Sequence, residues 1–351
     1  MIPKSAYRFS EKDHAPSIGV VANKTEPTSP SRRRGNAAPT ASRSDDPDAT
    51  APGTAQRCGF IALIGAPNAG KSTLVNALVG SKVSIVTHKA QTTRALVRGI
   101  AVAGAAQLVF VDTPGIFLPR RRLDRAMVAT AWGGAHDADI VGVLIDAGRG
   151  LDQEVEAILS RLGELNRPAV LILNKIDLVG PPLLLELAAT ANARAGFAAT
   201  FMLSALNGDG VSDLKSWLAA QVPPGPWHYP PEEISDAPMR RLAAEVTREK
   251  LMLRLHEELP YQSTVETDRW KELQDGSVRI EQTIYVERES QRKIVLGKGG
   301  ATIKAIGASA RREIAAIAEV PVHLFLFVKV REDWGDDPER YRGMGLQFPK
   351  D

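Results

Sequence analysis

The stretch "GAPNAGKS", residues 65–72, matches the pattern G-x-x-x-x-G-K-[ST] at every defined position. The apolar run "GFIALIG" ends at its first glycine, and "STLVNALVG" continues from it with the composition of a helix. A strand, a glycine-rich loop and a helix in this order form a phosphate-binding loop, because backbone N–H groups and the helix N-terminus converge on phosphate oxygens. We therefore predict a nucleotide site in which Lys71 reaches the β and γ phosphates and Ser72 gives its hydroxyl to Mg²⁺.

Residues 57–221 surround this loop with short apolar runs that alternate with amphipathic segments. The runs are "GFIALIG", "QLVFVDT", "ADIVGVLIDA", "PAVLILNKID" and "ATFMLSA", and the helical segments lie near 71–80, 123–137, 151–165, 182–195 and 211–220. Strands that are apolar on both faces and are separated by helices are typical of a parallel sheet. The sequence thus predicts an α/β domain with a mostly parallel sheet and helices on both faces.

Three further motifs end predicted strands of this domain: "DTPG" (112–115), "NKID" (174–177) and "SAL" (204–206). Open α/β sheets bind ligands at this edge. We expect Asp112 to hold Mg²⁺ through water and the Gly115 N–H to sense the γ-phosphate. The predicted nucleotide contacts are Asn68, Ala69, Gly70, Lys71, Ser72, Thr73, Asp112, Gly115, Asn174, Lys175, Asp177, Ser204, Ala205 and Leu206.

The motif "NKID" favours guanine over adenine. The Asp177 carboxylate can accept hydrogen bonds from N1–H and the amino group of guanine, and the Ala205 N–H can donate to O6. Adenine would leave that carboxylate unpaired, and such mismatches give large discrimination. The alternative of a P-loop ATPase is therefore disfavoured, and GTP and GDP are the predicted nucleotides.

On these motifs the chain resembles the translation-factor-related small GTPases. The stretch "KAQTTRALVRG" (89–99) is similar to their effector loop. The resemblance implies that Thr93 binds Mg²⁺ together with Ser72 and Asp112, with Thr92 as the second choice. Two exposed loop threonines without a role are the alternative reading. The expected catalytic contacts are Lys71, Thr93 and Gly115.

The residue after "DTPG" is Ile116, where Ras-like GTPases carry a glutamine that orients the attacking water. The chain therefore resembles the branch with a hydrophobic residue at this position. That resemblance implies slow intrinsic hydrolysis of GTP and a part for Asn68 in holding K⁺.

The stretch "VPPGPWHYPPEEISDAP" (222–238) is a predicted proline-rich linker, and a different pattern follows it. Residues 239–330 give the order helix-strand-strand-helix-helix-strand, which predicts an α+β domain.

Within this domain, "GKGG" (297–300) matches G-x-x-G before a helix, as in the nucleic-acid clamp of a type II KH domain. The window 288–313 holds seven basic residues against two acidic ones, which suits RNA. A simple helix-cap turn could also explain the glycines. The predicted RNA contacts are Gly297, Lys298, Gly299, Gly300, Lys293 and Lys304.

The complete domain order resembles the Era family of bacterial GTPases over about residues 57–338. The stretches "REKLMLRLHEELPY", "IVLGKGGATIKAIG" and "VKVREDW" add to the likeness. The resemblance implies binding to the 3′ region of small-subunit (16S) ribosomal RNA, a role in maturation of the 30S subunit, and a cytoplasmic monomer with a family tendency to associate peripherally with the inner membrane. A GTP-hydrolysing switch and an RNA-binding scaffold with structural nucleotide both stay open as hypotheses.

Residues 1–56 lie outside the resemblance to the Era family, and residues 331–351 lie at its C-terminal border. Residues 1–56 are rich in proline, serine, threonine and charge without apolar periodicity, so we expect a disordered extension. A transit peptide, or a start codon assigned too far upstream, are the alternatives. Residues 331–351 read as a polar tail. The single cysteine, Cys58, excludes an intrachain disulfide, and no apolar run reaches the length of a membrane span.

Overall fold

The structure is a computed structural model that describes residues 8–9, 55–89, 91–256, 259–332 and 337–349. Most of the predicted disordered extension therefore lies outside the described residues, as does Trp334 of the predicted tail. None of the helices in the described ranges combines the length and the apolar character needed to cross a membrane.

The first domain is a sheet of eight strands in the order β1-β8-β3-β4-β2-β5-β6-β7. Its strands are β1 Arg8–Phe9, β2 Arg57–Gly65, β3 Val97–Ala103, β4 Ala106–Asp112, β5 Ile140–Asp146, β6 Ala169–Asn174, β7 Ala199–Leu203 and β8 Glu233–Ser235. Its helices are α1 Lys71–Val79, α2 Arg122–Asp137, α3 Gln153–Leu162, α4 Pro181–Arg194 and α5 Val211–Gln221. Strands β4, β2, β5, β6 and β7 run parallel, as predicted, and β3 is antiparallel to β4.

Helices cover both faces of this sheet, and the central strand β2 shows why. Ala62 and Ile64 point into a core that includes α2, α3 and α4, whereas Ile61 and Leu63 point into a core that includes α1 and α5. Successive strand residues face opposite sides, so a strand buried on both faces needs the continuous apolar run seen in the sequence. The predicted fold class of this domain is confirmed.

Strand β3 was not predicted, because residues 89–99 were assigned to a loop. A Cβ on Gly99 would lie 2.8 Å from a Val79 side-chain carbon and 3.0 Å from one of Val75. The glycine therefore lets α1 approach the strand closely. A short run interrupted by glycine gives a weak strand pattern, and pairing with β4 supplies what the local sequence lacks.

Residues 222–238, predicted as a linker, follow the sheet closely. The side chain of Gln107, fully buried in β4, accepts hydrogen bonds from the N–H groups of His228 and Tyr229 and donates to the Tyr229 carbonyl at 2.7 Å. Strand β8 then pairs with β3 through Ser235 and Gly99. Proline-rich composition indicated an irregular path, but it could not show that a buried amide anchors that path.

The second domain has three strands in the order β11-β10-β9, with β10 parallel to β11 and antiparallel to β9. Its elements are α6 Met239–Arg254, β9 Ser263–Glu272, β10 Val278–Val286, α7 Glu289–Leu296, α8 Ala301–Ala318 and β11 Val322–Val330. The predicted order is confirmed, and it is that of a type II KH domain. The first helix ends at Arg254, earlier than the predicted run to Pro260.

The C-terminal tail is less polar in its packing than its composition suggests. It forms helix α9, Pro338–Gly343, and buries Tyr341 and Leu346 against Ala126 and Met127 of α2. Two apolar side chains among many polar ones carry no periodicity, so this contact had no sequence signal.

Candidate nucleotide site and RNA-binding face

Lys71 stands at the start of α1 and is only 6% exposed. Its Nζ donates to the carbonyl oxygens of Gly65 and Ala66, each at 3.0 Å. Burial lowers the pKa of Lys71 to about 8, although the carboxylates of Asp112 and Glu154 act in the opposite direction. A phosphate beside Nζ would raise this pKa again, because a nearby opposite charge favours the charged form.

The loop backbone is shaped by residues with little room around them. Gly70 has φ of 100°, and a Cβ there would lie 2.2 Å from Asn174 Nδ2. A Cβ on Gly65 would lie 2.4 Å from the Leu144 carbonyl oxygen. Asn68 is also in the left-handed region, with φ of 64°, and its Nδ2 donates to the His88 carbonyl at 2.9 Å. Ala69 is buried and Thr73 is half-buried in the first turn of α1.

Three hydroxyl groups converge on the buried carboxylate of Asp112. Its Oδ2 lies 2.7 Å from Ser72 Oγ, 2.6 Å from Ser84 Oγ and 3.4 Å from Thr93 Oγ1. Ser72 and Thr93 are themselves 2.8 Å apart through their hydroxyl oxygens. Burial raises the pKa of Asp112, and the hydrogen bonds from Ser84 and Ser72 oppose that rise.

This oxygen cluster fits a divalent cation. Asp112 Oδ1 is buried and accepts no hydrogen bond within the described part of the chain. Hydroxyl and carboxylate oxygens are the ligands that Mg²⁺ prefers. The Thr93 hydroxyl lies in this oxygen cluster, whereas the Thr92 hydroxyl is engaged with Thr87 and the Lys89 carbonyl. Ser84 was missed, and an isolated serine in a loop carries no signal for it.

The segment after β4 packs directly on the phosphate loop. A Cβ on Gly115 would lie 3.0 Å from backbone atoms of Pro67, so only glycine allows this approach. The Ile116 N–H donates to the Gly65 carbonyl at 3.0 Å, and the Ile116 side chain is buried in the core. A buried isoleucine offers no polar atom to orient a water molecule.

Asn174 joins the phosphate end of the site to the base end. Its Nδ2 donates to the Ala69 carbonyl at 2.8 Å, and its Oδ1 accepts from the Ala205 N–H at 2.9 Å. Ser204 is fully buried, whereas Leu206 is exposed. One side chain thus fixes the spacing between the two loops.

The part of the site that is predicted to hold the guanine base is open to solvent. Asp177 lies in a short 3₁₀ turn, Ile176–Leu178, and is exposed. The preceding Lys175 has φ of 64°, and its Nζ lies 2.6 Å from Asp146 Oδ2. Asp146 was missed, although its place at the end of β5 matches that of the other motif residues.

The effector segment, residues 89–99, is hydrogen-bonded to the second domain on both sides of Thr93. The Arg94 guanidinium donates to the carbonyls of Ser263, at 2.8 Å, and of Pro260 and Tyr261, each at 3.2 Å. On the other side, the Arg248 guanidinium of α6 donates to the Thr92 carbonyl.

A buried carboxylate adds a third attachment. Glu249 of α6 accepts from the Val86 N–H at 2.9 Å and from Lys82 Nζ at 2.8 Å. Lys82 and Lys250 also pair with Glu313 of α8. Neither Arg94 nor Glu249 was singled out from the sequence, because both act across the domain boundary.

The second glycine-lysine loop is open. Residues Lys298–Gly300 form a single turn between α7 and α8, and Lys298 and Gly299 are exposed. The backbone has positive φ at Gly297, Gly299 and Gly300, with values of 70°, 61° and 78°. A Cβ on Gly299 would meet nothing within 4 Å. The predicted contacts Lys293 and Lys304 are exposed on the helices that flank this turn.

Family models match parts of both domains. A model described as a 50S ribosome-binding GTPase matches residues 60–175, and a KH domain model matches residues 258–335. The chain is 68% identical over 300 residues to GTPase Era of Bradyrhizobium sp. strain BTAi1, covering 86% of this chain and 97% of that one. It is 69% identical over 296 residues to GTPase Era of Brucella suis biovar 1, covering 84% and 95%.

Solved structures agree over both domains. A variant of Aquifex aeolicus Era bound to GDP and AlF4⁻ matches with a TM-score of 0.79 and 36% identity, over 83% of this chain and 99% of that one. An Era structure in complex with MgGDPNP and nucleotides 1506–1542 of 16S ribosomal RNA matches with a TM-score of 0.79 and 37% identity, over the same shares. At this identity and coverage over both domains, the chain belongs to the Era family of GTPases.

Proposed function

We propose that this protein is a GTP-binding and GTP-hydrolysing switch that binds the 3′ region of small-subunit ribosomal RNA through its KH domain and assists maturation of the 30S subunit. Family membership supports the GTPase activity. The related Era structure with MgGDPNP and a 16S segment supports the choice of RNA. The description of the matching GTPase model names the large subunit, but the relative that contains RNA holds small-subunit RNA.

In this proposal, each residue of the phosphate site has a separate role. Lys71 neutralises charge on the β and γ phosphates, the Gly115 N–H senses the γ-phosphate, and Thr93 closes the site over it. Ser72, Thr93 and Asp112 would hold Mg²⁺, which supplies stabilisation of charge on the phosphate oxygens. Intrinsic hydrolysis is slow in this scheme, since Ile116 cannot orient water. The part of Asn68 toward K⁺ stays a prediction, supported by its position between the phosphate loop and the effector segment.

Recognition of guanine uses Asp177, with Asn174 as the support. The Ala205 N–H donates to Asn174 Oδ1 at 2.9 Å in this structure, and in this proposal it donates to guanine O6 when the base binds. Asp177 is exposed in this structure, and pairing with the N1–H and amino edge of guanine would desolvate its carboxylate. Discrimination then arises at binding, because only guanine satisfies the carboxylate.

One observation carries the switch hypothesis over the scaffold hypothesis: both neighbours of Thr93 are hydrogen-bonded to the KH domain. Thr93 lies beside Ser72 and Asp112, so a nucleotide state that holds or releases it there must hold or release a segment that Arg94 and Arg248 tie to the RNA-binding domain. Coupling of this kind is reciprocal, so RNA that favours one arrangement must also favour one nucleotide state.

The test is to measure affinity for a 16S 3′-end RNA with a GTP analogue, with GDP and without nucleotide. We expect the GTP analogue to change the affinity several-fold relative to GDP. Equal affinity in all three states would reject the switch and leave the scaffold. We further propose action as a monomer in the cytoplasm, with peripheral association with the inner membrane, which fractionation of cells carrying a tagged copy would test.

A further inference from the structure

Strand β11, "VHLFLFVKV", is apolar on both of its faces although it is the edge of an open sheet. Leu326 and Val328 pack against the core of the KH domain. On the opposite face Phe325 and Phe327 are 43% and 50% exposed. A long edge strand with exposed aromatic side chains invites unwanted association unless a partner uses it.

Basic side chains interleave with these rings. Opposite β11, the central strand β10 pairs Arg279 with His323, and Tyr285 with Lys329. The Arg279 guanidinium lies over the Phe325 ring, 4.5 Å from its centroid. We call His323, Phe325, Phe327 and Lys329 together with Arg279 and Tyr285 the outer face.

Acidic groups near the outer face are engaged by their neighbours. Glu281 stands opposite Phe325 and pairs with Arg279 Nε at 2.9 Å. Asp268 of β9 accepts a hydrogen bond from the Thr283 hydroxyl at 2.6 Å. Arg279 and Lys329 therefore border the two phenylalanines, and aromatic rings beside cationic side chains are the arrangement of a surface that stacks nucleic-acid bases.

The "GKGG" turn lies near one end of β11, on the opposite side of the sheet from the two phenylalanines. Helix α8 runs back along β11, because Ala318 leads into Val322 after three residues, and Gly307 packs on Leu326 with an added Cβ only 3.3 Å from it. The "GKGG" end of α8 consequently lies at the Val330 end of the strand. Because β11 is the edge of the sheet, a chain leaving the turn reaches the outer face by passing around this strand, over the roughly 10 Å that separates packed layers.

The RNA in the related Era structure is longer than the turn can clamp. A G-x-x-G loop clamps about four nucleotides. The related Era structure contains nucleotides 1506–1542, which is 1542 − 1506 + 1 = 37 nucleotides. Most of such a segment must lie outside the loop.

We propose that the outer face is a stacking platform for single-stranded RNA bases that extend from the "GKGG" turn, with Phe325 and Phe327 as the stacking residues. This inference rests on the proposed RNA-binding function and adds a second surface to it. Stacking accepts any base, so the platform adds affinity without sequence preference. A protein partner would suit the two rings, but it would not account for Arg279, His323 and Lys329 around them.

The test compares wild type with a Phe325→Ala, Phe327→Ala double variant on two RNA probes. One probe is the 37-nucleotide 3′-end segment, and the other is a short single strand that fills only the turn. We expect the double variant to lose at least about tenfold in affinity for the long probe, because two stacked bases are lost, and less than about twofold for the short one. Phe325→Tyr with Phe327→Trp should keep the long-probe affinity, since aromatic stacking survives.

A matched control removes exposed apolar side chains elsewhere. Leu183 and Leu185 on α4 of the GTPase domain are 54% and 65% exposed, so Leu183→Ala with Leu185→Ala should leave both affinities unchanged. Retained affinity for the short probe reports that the KH domain of the phenylalanine variants is folded, and basal GTP hydrolysis reports the same for the GTPase domain.

Two results would overturn the platform. Wild-type affinity of the alanine double variant for the long probe would show that RNA does not touch the outer face. Unchanged RNA affinity with a shift in sedimentation would assign the face to protein association instead. Failure of wild type to bind either probe would reject the proposed function itself, and that outcome is distinct from a loss confined to the double variant.

Discussion

The glycine-lysine loops at residues 65–72 and 297–300 have similar composition, but the protein holds them in opposite ways. Lys71 is buried and bonded to two carbonyls, whereas Lys298 is exposed. A Cβ on Gly70 would strike Asn174, whereas one on Gly299 would meet nothing. A loop enclosed by neighbouring groups suits a small triphosphate that must be positioned, and an exposed turn suits a polymer that passes over it.

The removal of the buried lysine should have the largest effect. We expect Lys71→Ala to lower kcat/KM for GTP about a thousandfold, because a preorganised cation at the phosphates is lost. Single-turnover hydrolysis measures this. Lys298→Ala is the control and should hydrolyse GTP at the wild-type rate. Comparable losses in both variants would refute the division of tasks between the loops.

Substitution of the predicted guanine contact in the nucleotide site should have the next largest effect. We expect Asp177→Asn to weaken GTP binding at least about a hundredfold and to shift preference toward xanthine nucleotides, since the amide can donate where the carboxylate accepted. Competition titrations with GTP and XTP measure the shift. Asp213→Asn, at an exposed position on α5, should leave both affinities as they are. Retention of guanine preference would rule out Asp177 as the base contact.

The open turn should show the reverse pattern. Lys298→Asp with Gly299→Asp should reduce RNA affinity at least about tenfold, because negative charge meets the phosphate backbone. A side chain at Gly299 is strained by the φ of 61°, but nothing lies near its Cβ, and Asp adopts positive φ more readily than most residues. Filter binding with RNA and a GTPase assay measure the two activities. A loss of nucleotide affinity in this variant would contradict the assignment of separate sites.

The burial of Lys71 also predicts a pH dependence of GTP binding. The nucleotide-free protein holds the pKa of Lys71 at about 8, so above that pH the ammonium must regain a proton to meet the phosphates. GTP affinity should then fall about tenfold for each pH unit above 8, and this group should contribute no change below it. Lys71→Arg keeps its charge and should flatten that limb of the profile. An identical alkaline limb in both proteins would exclude Lys71 as its source.

The smallest effect concerns the connection between the two loops. Glu249→Gln removes the charge that holds Lys82 and Lys250 but preserves the shape of the contact with the Val86 N–H. We expect the ratio of RNA affinities in the GTP-analogue and GDP states to shrink roughly fivefold. Each single-state affinity should change less than the ratio. An undiminished ratio would mean that the coupling bypasses this carboxylate.

The sequence predicted those parts of the site where the chemistry is local. The phosphate loop, "DTPG", "NKID" and "GKGG" are contiguous motifs, so their residues were assigned in advance, and the structure brings Ser72, Thr93 and Asp112 together. Asp146 could have been found from its place at a strand end. Ser84 and Asn174's bridge to Ala69 could not, because they depend on which loops become neighbours after folding.

The sequence by itself determined the two folds and the chemistry of the two loops, because periodicity and motif spacing act over a few residues of chain. Tertiary structure alone decided how the loops communicate. Arg94 meets carbonyls at Pro260 and Ser263, more than 160 residues away along the chain, and the Glu249 carboxylate meets Lys82 at a separation of 167. Contacts of this range arise only when two cores pack together, and an arginine or a glutamate in an amphipathic pattern looks the same whether it faces water or the other domain.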